Sequence, residues 1–384
     1  MTINPRVAAL SASSTLKITA LAKKLIKDGK DVVNFAAGEP DFDTPDFVKI
    51  EAKRAIDEGF TKYTPSSGMI ELREAIAAKL QHENRIPCSS KNIIVTTGAK
   101  YALFAALVTL LAPDDEVVIP SPYWVSYPEM VTLIGGRITY LHTRPENNFK
   151  IRIQDLAASI GSKTKVVILN YPANPTGMSY TRNELAELYE FLRDKKIFVL
   201  SDEIYEKLTY DKAEFTSFAS FPGADRWTVT VNGFSKSFSM TGWRIGYMVA
   251  DEAIVRETSK VIDHTTSCVS SVSQRAAVAA LKNSTWQEQM CVDFQKKRDA
   301  LYQGLRDFKK ILPLRPQGSF YMFCDITKTG LSSEEFSSQL LERHQVCVIP
   351  TNSFGAEGYV RLSFATSFED IAKGIVRIKK FLAE

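Results

Sequence analysis

Short, almost uninterrupted apolar runs recur through the middle of the chain, with helical periods between them. Residues 92–98, 115–120, 165–170, 197–202 and 227–232 read as strands, and 246–250 as one more, most simply antiparallel to its predecessor. Their lack of polar alternation suits strands covered by helices on both faces. Among the intervening segments, Tyr101–Leu111 is an apolar helix. Thr181–Lys195 is a charged one, whose Thr181 and Glu184 have the spacing of a capping box. The alternation predicts an α/β fold, a large domain built on a mostly parallel mixed sheet covered by helices.

After about residue 285 the pattern changes. A long charged helix, Trp286–Asp307, precedes strands around 319–324, 346–350 and 359–364, and a last helix follows. This reads as a smaller α+β domain. Val32-Val33-Asn34-Phe35 needs a neighbour before the large sheet begins, so the N-terminal segment is expected to pack with the small domain. The expected division is an N-terminal segment 1–45, a large domain 46–285 and a small domain 286–384.

Composition narrows the classes. An apolar share of 45% and a charged share of 24% over 384 residues are those of a globular protein. The net charge of +4 is spread without a polybasic block, so neither nucleic acid nor a membrane is an expected partner. Apolar stretches such as Tyr101–Ala112 are too short to span a bilayer. Cys88, Cys268, Cys291, Cys324 and Cys347 are scattered and odd in number, which points to free thiols in a reducing, cytoplasmic setting. Neither they nor the four histidines have metal spacing, and no metal is expected. Residues 2–27 lack acids and carry Arg6 and several lysines, a composition shared by organelle transit peptides. The favoured reading is an ordinary first helix, Thr15–Lys27, ended by Asp28-Gly29.

In open α/β sheets, ligands bind beyond the carboxyl ends of the strands. Here those ends carry Gly98-Ala99-Lys100, Tyr123-Trp124, Asn170 with Asn174, Asp202 with Tyr205, and Lys236 followed by Arg244. Each has an ordinary explanation alone: a core indole, a turn, a helix cap. Together they suit a pyridine carrying an aldehyde and a phosphate. Lys236 can form an imine with the aldehyde. Asp202 can keep the ring nitrogen protonated, making the ring an electron sink. Trp124 can stack on the ring, while Tyr205 and Asn174 can bond its hydroxyl. Arg244 and the amides of Gly98, Ala99 and Lys100 can hold the phosphate.

These residues resemble the fold-type I pyridoxal-phosphate enzymes, specifically class I aminotransferases of the bacterial-type aspartate/prephenate subgroup. The likeness covers essentially the whole chain. It rests on Gly38-Glu39-Pro40-Asp41-Phe42, Lys62-Tyr63-Thr64, the segment 121–128, Asn174-Pro175-Thr176-Gly177, Ser201-Asp202-Glu203-Ile204-Tyr205, Ser235-Lys236 with Thr241–Gly246, and Tyr359–Ser363. The resemblance implies pyridoxal 5'-phosphate as cofactor, with Lys236, Asp202 and Tyr205 as the catalytic set. It implies that Arg361 clamps the substrate α-carboxylate with Asn174, Trp124 and the Gly38 backbone. Tyr63 would reach the neighbouring subunit's phosphate in a homodimer with shared active sites. Lys100 and Thr15, with Ser14, match positions over a distal carboxylate. The implied reaction moves an amino group from an L-amino acid, aspartate or glutamate first, to a 2-oxo acid in ping-pong fashion. The freed Lys236 amine would serve as base and acid.

The chain departs from the pattern in two places. Gly233 stands where many relatives have a phosphate-binding serine, leaving Ser235 or Ser237 as candidate substitutes. No second arginine stands ready for a distal carboxylate. Aromatic, diaminopimelate-type or prephenate specificity, or a carbon–sulfur β-lyase, would use the same core residues. A transcription regulator built on this scaffold is not expected, because the elements consume the chain without a DNA-binding domain.

Overall fold

A computed structural model describes residues 3–11 and 14–384, with residues 14–17 as backbone only. A short strand β1 (Val33–Asn34) comes first, and the next seven strands form one sheet. They are β2 (Ile93–Thr96), β3 (Glu116–Ser121), β4 (Arg137–His142), β5 (Thr164–Asn170), β6 (Phe198–Asp202), β7 (Thr228–Gly233) and β8 (Gly246–Val249). Their order is β2-β8-β7-β6-β5-β3-β4, with β8 antiparallel to both neighbours and the other pairings parallel. The sheet is therefore mixed and mostly parallel, as the apolar runs predict.

Side-chain alternation divides the core into two layers. Val117, Ile119, Val166, Ile168, Val229 and Val231 face the helix Ala99–Leu110 through Ala102, Leu103, Ala106 and Leu107. Val118, Val167, Leu169 and Val199 face the helix Arg182–Leu192 through Leu185, Leu188 and Leu192. That helix has the expected capping box, with Thr181 accepting from the Glu184 N–H. The sequence reading omitted β4. It is an edge strand, half covered, with Tyr140 41% exposed, so it lacks the uniform apolar character of its neighbours.

The remaining strands are β9 (Leu312–Pro313), β10 (Tyr321–Asp325), β11 (Val346–Cys347), β12 (Ile349–Pro350) and β13 (Tyr359–Ser363). Four form an antiparallel sheet ordered β12-β13-β10-β9. The single run expected over 346–350 is split. β12 joins this sheet, whereas β11 pairs in parallel with β1, Val33 opposite Val346. Val33 and Phe35 are fully buried in the core beneath the helices Thr285–Leu305 and Phe368–Ala383. β10 begins at Tyr321 and not at Ser319, whose φ of +56° interrupts extended backbone.

Candidate active site

Because β2, β3, β5, β6 and β7 run the same way, their carboxyl ends meet at one edge of the sheet. A cavity of about 490 Å³ opens there. Its walls bring together Gly38, Ala99, Lys100, Trp124, Asn174, Asp202, Tyr205, Lys236, Arg244 and Arg361. These come from loops, strand ends and a helix start spread over more than three hundred positions, so the topology assembles what the sequence only spaces.

Lys236 lies in the turn after β7, and its Nζ donates to the carbonyl of Gly38. Burial draws its ammonium down from 10.5 to about 8. Glu39 and Asp202 oppose that fall, while Arg361 and Arg244 reinforce it. Asp202, at the end of β6, is buried. Its Oδ2 accepts the Tyr127 hydroxyl at 2.7 Å and its Oδ1 the Ile204 N–H at 3.3 Å. Desolvation raises its carboxyl to about 6, with the Tyr127 hydrogen bond the first counterweight. The buried Tyr205 hydroxyl sits 3.1 Å from that of Tyr321, and burial holds the Tyr205 phenol well above its ordinary range.

Arg361, on β13, is 4% exposed. Its Nη1 donates to Asn174 Oδ1 at 3.0 Å and its Nη2 to the Ala36 carbonyl at 3.3 Å. The guanidinium lies 4.2 Å from the Tyr321 ring centroid and 5.4 Å from that of Phe354. Its Nε is buried without a partner, and no acidic group pairs with it among the described residues. Asn174 is held by Asn170, whose Oδ1 accepts the Asn174 N–H at 2.9 Å. Asn170 Nδ2 in turn donates to the Asp202 carbonyl at 3.1 Å.

At the other end, Gly98 caps the helix Ala99–Leu110 with φ +85°. The positive φ calls for glycine, and a Cβ there would come within 2.7 Å of the Arg244 guanidinium. Arg244 donates to the carbonyls of Thr241 at 2.9 Å and Thr97 at 3.4 Å, and it remains exposed. Lys100 Nζ lies 4.8 Å from the centroid of the Trp124 ring. Burial and then Arg244 lower its pKa.

Gly233 has a structural reason: a Cβ there would meet Gly246 Cα at 2.9 Å in the adjoining strand. Ser235 lines the cavity, whereas Ser237 Oγ donates to the Gly233 carbonyl at 3.1 Å. Tyr63 does not join the cavity within one chain. It is 91% exposed, on a separate groove with Phe47, Phe60, Ile70 and Arg275. The side chains of Ser14 and Thr15 lie outside the described residues. Thr19, from the same helix Ser14–Lys27, does reach the cavity wall.

Sequence reasoning assigned no role to Tyr127, Asn170 or Tyr321, each of which contacts a candidate residue. Tyr127 and Asn170 stand inside or beside quoted motifs, but a phenol or amide acting on another side chain leaves no spacing signal. Among the described residues no cluster of His, Cys, Asp and Glu could hold a metal ion. No helix is long and apolar enough to cross a membrane.

The donor set fits a flat, phosphorylated aldehyde. Lys236 is a buried amine drawn down to about 8, Asp202 is a buried carboxylate held by the Tyr127 hydroxyl and the Ile204 N–H, and a glycine-capped helix start lies beside Arg244. Fold and site together define a fold-type I pyridoxal 5'-phosphate transferase. The chain belongs to the family of aminotransferases of class I and II, whose model matches residues 30–378. It is 42% identical to the aspartate aminotransferase of Bacillus subtilis (strain 168), covering 100% of this chain and 99% of that protein. It is 43% identical to a probable aspartate/prephenate aminotransferase of Aquifex aeolicus (strain VF5), covering 99% and 98% respectively. The structure of the Thermus thermophilus aspartate aminotransferase with maleate superposes with a TM-score of 0.95 at 38% identity, covering 99% of each chain.

Proposed function

We propose that this aminotransferase prefers substrates with two carboxylates, L-aspartate and L-glutamate among donors and the matching 2-oxo acids among acceptors. The observation that carries the reading is Arg361. A cation buried without a counter-ion is costly, and its fork faces a cavity that admits a small molecule. An α-carboxylate would complete its pairing and bond Asn174 alongside, with Trp124 and the Gly38 backbone closing the same end. Lys100 is the cation set for a second carboxylate, and Thr15 belongs to the helix that covers that end. Support for two carboxylates also comes from the relatives' names and from the maleate in the Thermus protein. Prephenate as an acceptor is a second reading, favoured by the name of the Aquifex relative.

When bound, pyridoxal 5'-phosphate supplies a carbonyl that condenses with amines and a ring that accepts the electron pair of the substrate's Cα–H bond. Lys236 is the residue we assign to hold it covalently. With an ammonium at about 8, the released amine is a competent base near neutral pH, taking and returning the α-proton. Asp202 would hold the ring nitrogen protonated, and Tyr205 and Asn174 the ring oxygen. Arg244 and the Gly98, Ala99 and Lys100 amides would hold the phosphate. Tyr63 would complete a partner's phosphate site, making the working unit a homodimer with shared active sites. Its exposure on an apolar groove supports this.

The division into residues 1–45, 46–285 and 286–384 is supported by the pairing of β1 with β11 and by the separate cores. Five free cysteines favour the cytoplasm. The test is a panel of donors with 2-oxoglutarate, and of acceptors that includes prephenate. Equal efficiency for alanine and aspartate would refute the acidic preference.

A further inference from the structure

The wall of the cavity that holds Lys236 contains a residue that touches two of the assigned groups at once. Tyr127 lies in the helix Ser126–Ile134, one residue in from its start, and is 1% exposed. Its hydroxyl donates to Asp202 Oδ2 at 2.7 Å. The edge of its ring meets Trp124, with centroids 5.3 Å apart and planes at 83°. Asp202 stands at the end of β6 and Trp124 in the loop after β3, on strands that are not neighbours in the sheet.

We propose that Tyr127 is a positioning residue that fixes the Asp202 carboxylate with its hydroxyl and the Trp124 plane with its ring, setting the slot for a flat heterocycle. The inference rests on the cofactor site proposed above. The hydrogen bond occupies Oδ2, which leaves Oδ1, with only a 3.3 Å N–H bond, as the oxygen that can turn to a ring nitrogen. It also stabilises the charged form of a carboxylate that burial pushes towards neutrality. A neutral Asp202 cannot favour a protonated pyridine. The near-perpendicular contact packs the Tyr127 ring against Trp124 and so favours one orientation of the indole. Burial holds the Tyr127 phenol well above its ordinary pKa, so it stays a donor.

The test uses Tyr127→Phe, which keeps the ring and removes only the hydroxyl, alone and with Asp202→Asn. The first readout is the dissociation constant of pyridoxal 5'-phosphate, followed by quenching of tryptophan fluorescence. The second is the division between kcat and the amino acid KM. Tyr127→Phe is expected to weaken cofactor binding about tenfold and lower kcat by a similar factor. KM should stay within about twofold, since Arg361 and Asn174 are untouched. In the Asp202→Asn background the same change should cost less than about twofold, because the charge that the hydroxyl stabilises is gone and only a neutral hydrogen bond is left to lose. Wild-type binding and kcat in Tyr127→Phe, or an undiminished penalty in the Asp202→Asn background, would overturn the proposal. If Asp202→Asn alone leaves binding and kcat intact, the underlying reading of the site fails instead. Tyr127→Leu, checked for folding by its thermal midpoint, adds loss of the Trp124 contact. It is expected to weaken binding beyond Tyr127→Phe; an equal effect would overturn the role given to the ring.

Discussion

Replacing Asp202 by asparagine should strengthen the cofactor-free protein while damaging the site, and the size of both effects follows from its surroundings. Burial raises the Asp202 carboxyl from 3.8 to about 6. Native structure therefore favours the protonated acid. Below 3.8 both native and unfolded chains hold the proton and nothing is lost. As pH rises through the window from 3.8 to about 6, native stability falls, and above it the ionised group costs about 3 kcal/mol. Asparagine removes that cost. It can still accept the Tyr127 hydroxyl, but its NH₂ cannot accept the Ile204 N–H, a loss of about 1 kcal/mol.

The net expectation is a gain of about 2 kcal/mol at about pH 8 that shrinks to nearly nothing at about pH 4.5. Urea unfolding of cofactor-free wild type and variant, at equal protein concentration, measures it. A loss of stability at the higher pH, or the same gain at both, would refute the reasoning. The same variant should bind pyridoxal 5'-phosphate at least about tenfold more weakly, because a neutral amide cannot pair with a cationic ring nitrogen.

Other substitutions address the remaining assignments. Arg361→Lys trades a flat fork, bonded to Asn174 and set between Tyr321 and Phe354, for a point charge. It should cost about 3 kcal/mol, roughly a hundredfold in kcat/KM for amino acids, in single-turnover assays. Equal loss for an amine lacking the α-carboxylate would contradict that role. Lys100→Ala should lower kcat/KM for aspartate about tenfold more than for alanine; uniform loss would contradict its role at a second carboxylate. Tyr63→Phe should weaken cofactor binding about tenfold in a protein that sediments as a dimer. A fully active monomer would contradict the shared site.

Much of the fold was legible because burial on both faces of a parallel sheet leaves a strong mark. β2, β3, β5 and β6 carry runs of mainly apolar residues that stop at polar groups, and β7 alternates valine with buried threonine. β8 could be placed beside β7 because turns and no helix separate them. β4 escaped because an edge strand alternates, and Tyr140 reads as polar or apolar equally well. The division between β11 and β12 escaped because a backbone that changes sheets leaves no change in hydrophobicity.

In the site, residues expected to meet a ligand were found by chemistry: an amine, an acid and a guanidinium at strand ends. Residues that hold those groups were not. Asn170 was read as the last residue of a strand, yet it links Asn174 to the Asp202 backbone. Tyr321 was read as part of a strand, yet it stands between Arg361 and Tyr205. Gly233 looked like a missing serine, and its cause lies in the backbone of β8, which the chain brings back alongside only after the next loop.

The most direct measurement concerns Lys236. Borohydride reduction of the cofactor-loaded protein, followed by peptide mass analysis, should find the pyridoxyl group on Lys236 alone, with Lys236→Ala unlabelled and inactive. A pyridoxyl group on another lysine, or transamination at the wild-type rate in Lys236→Ala, would contradict the account.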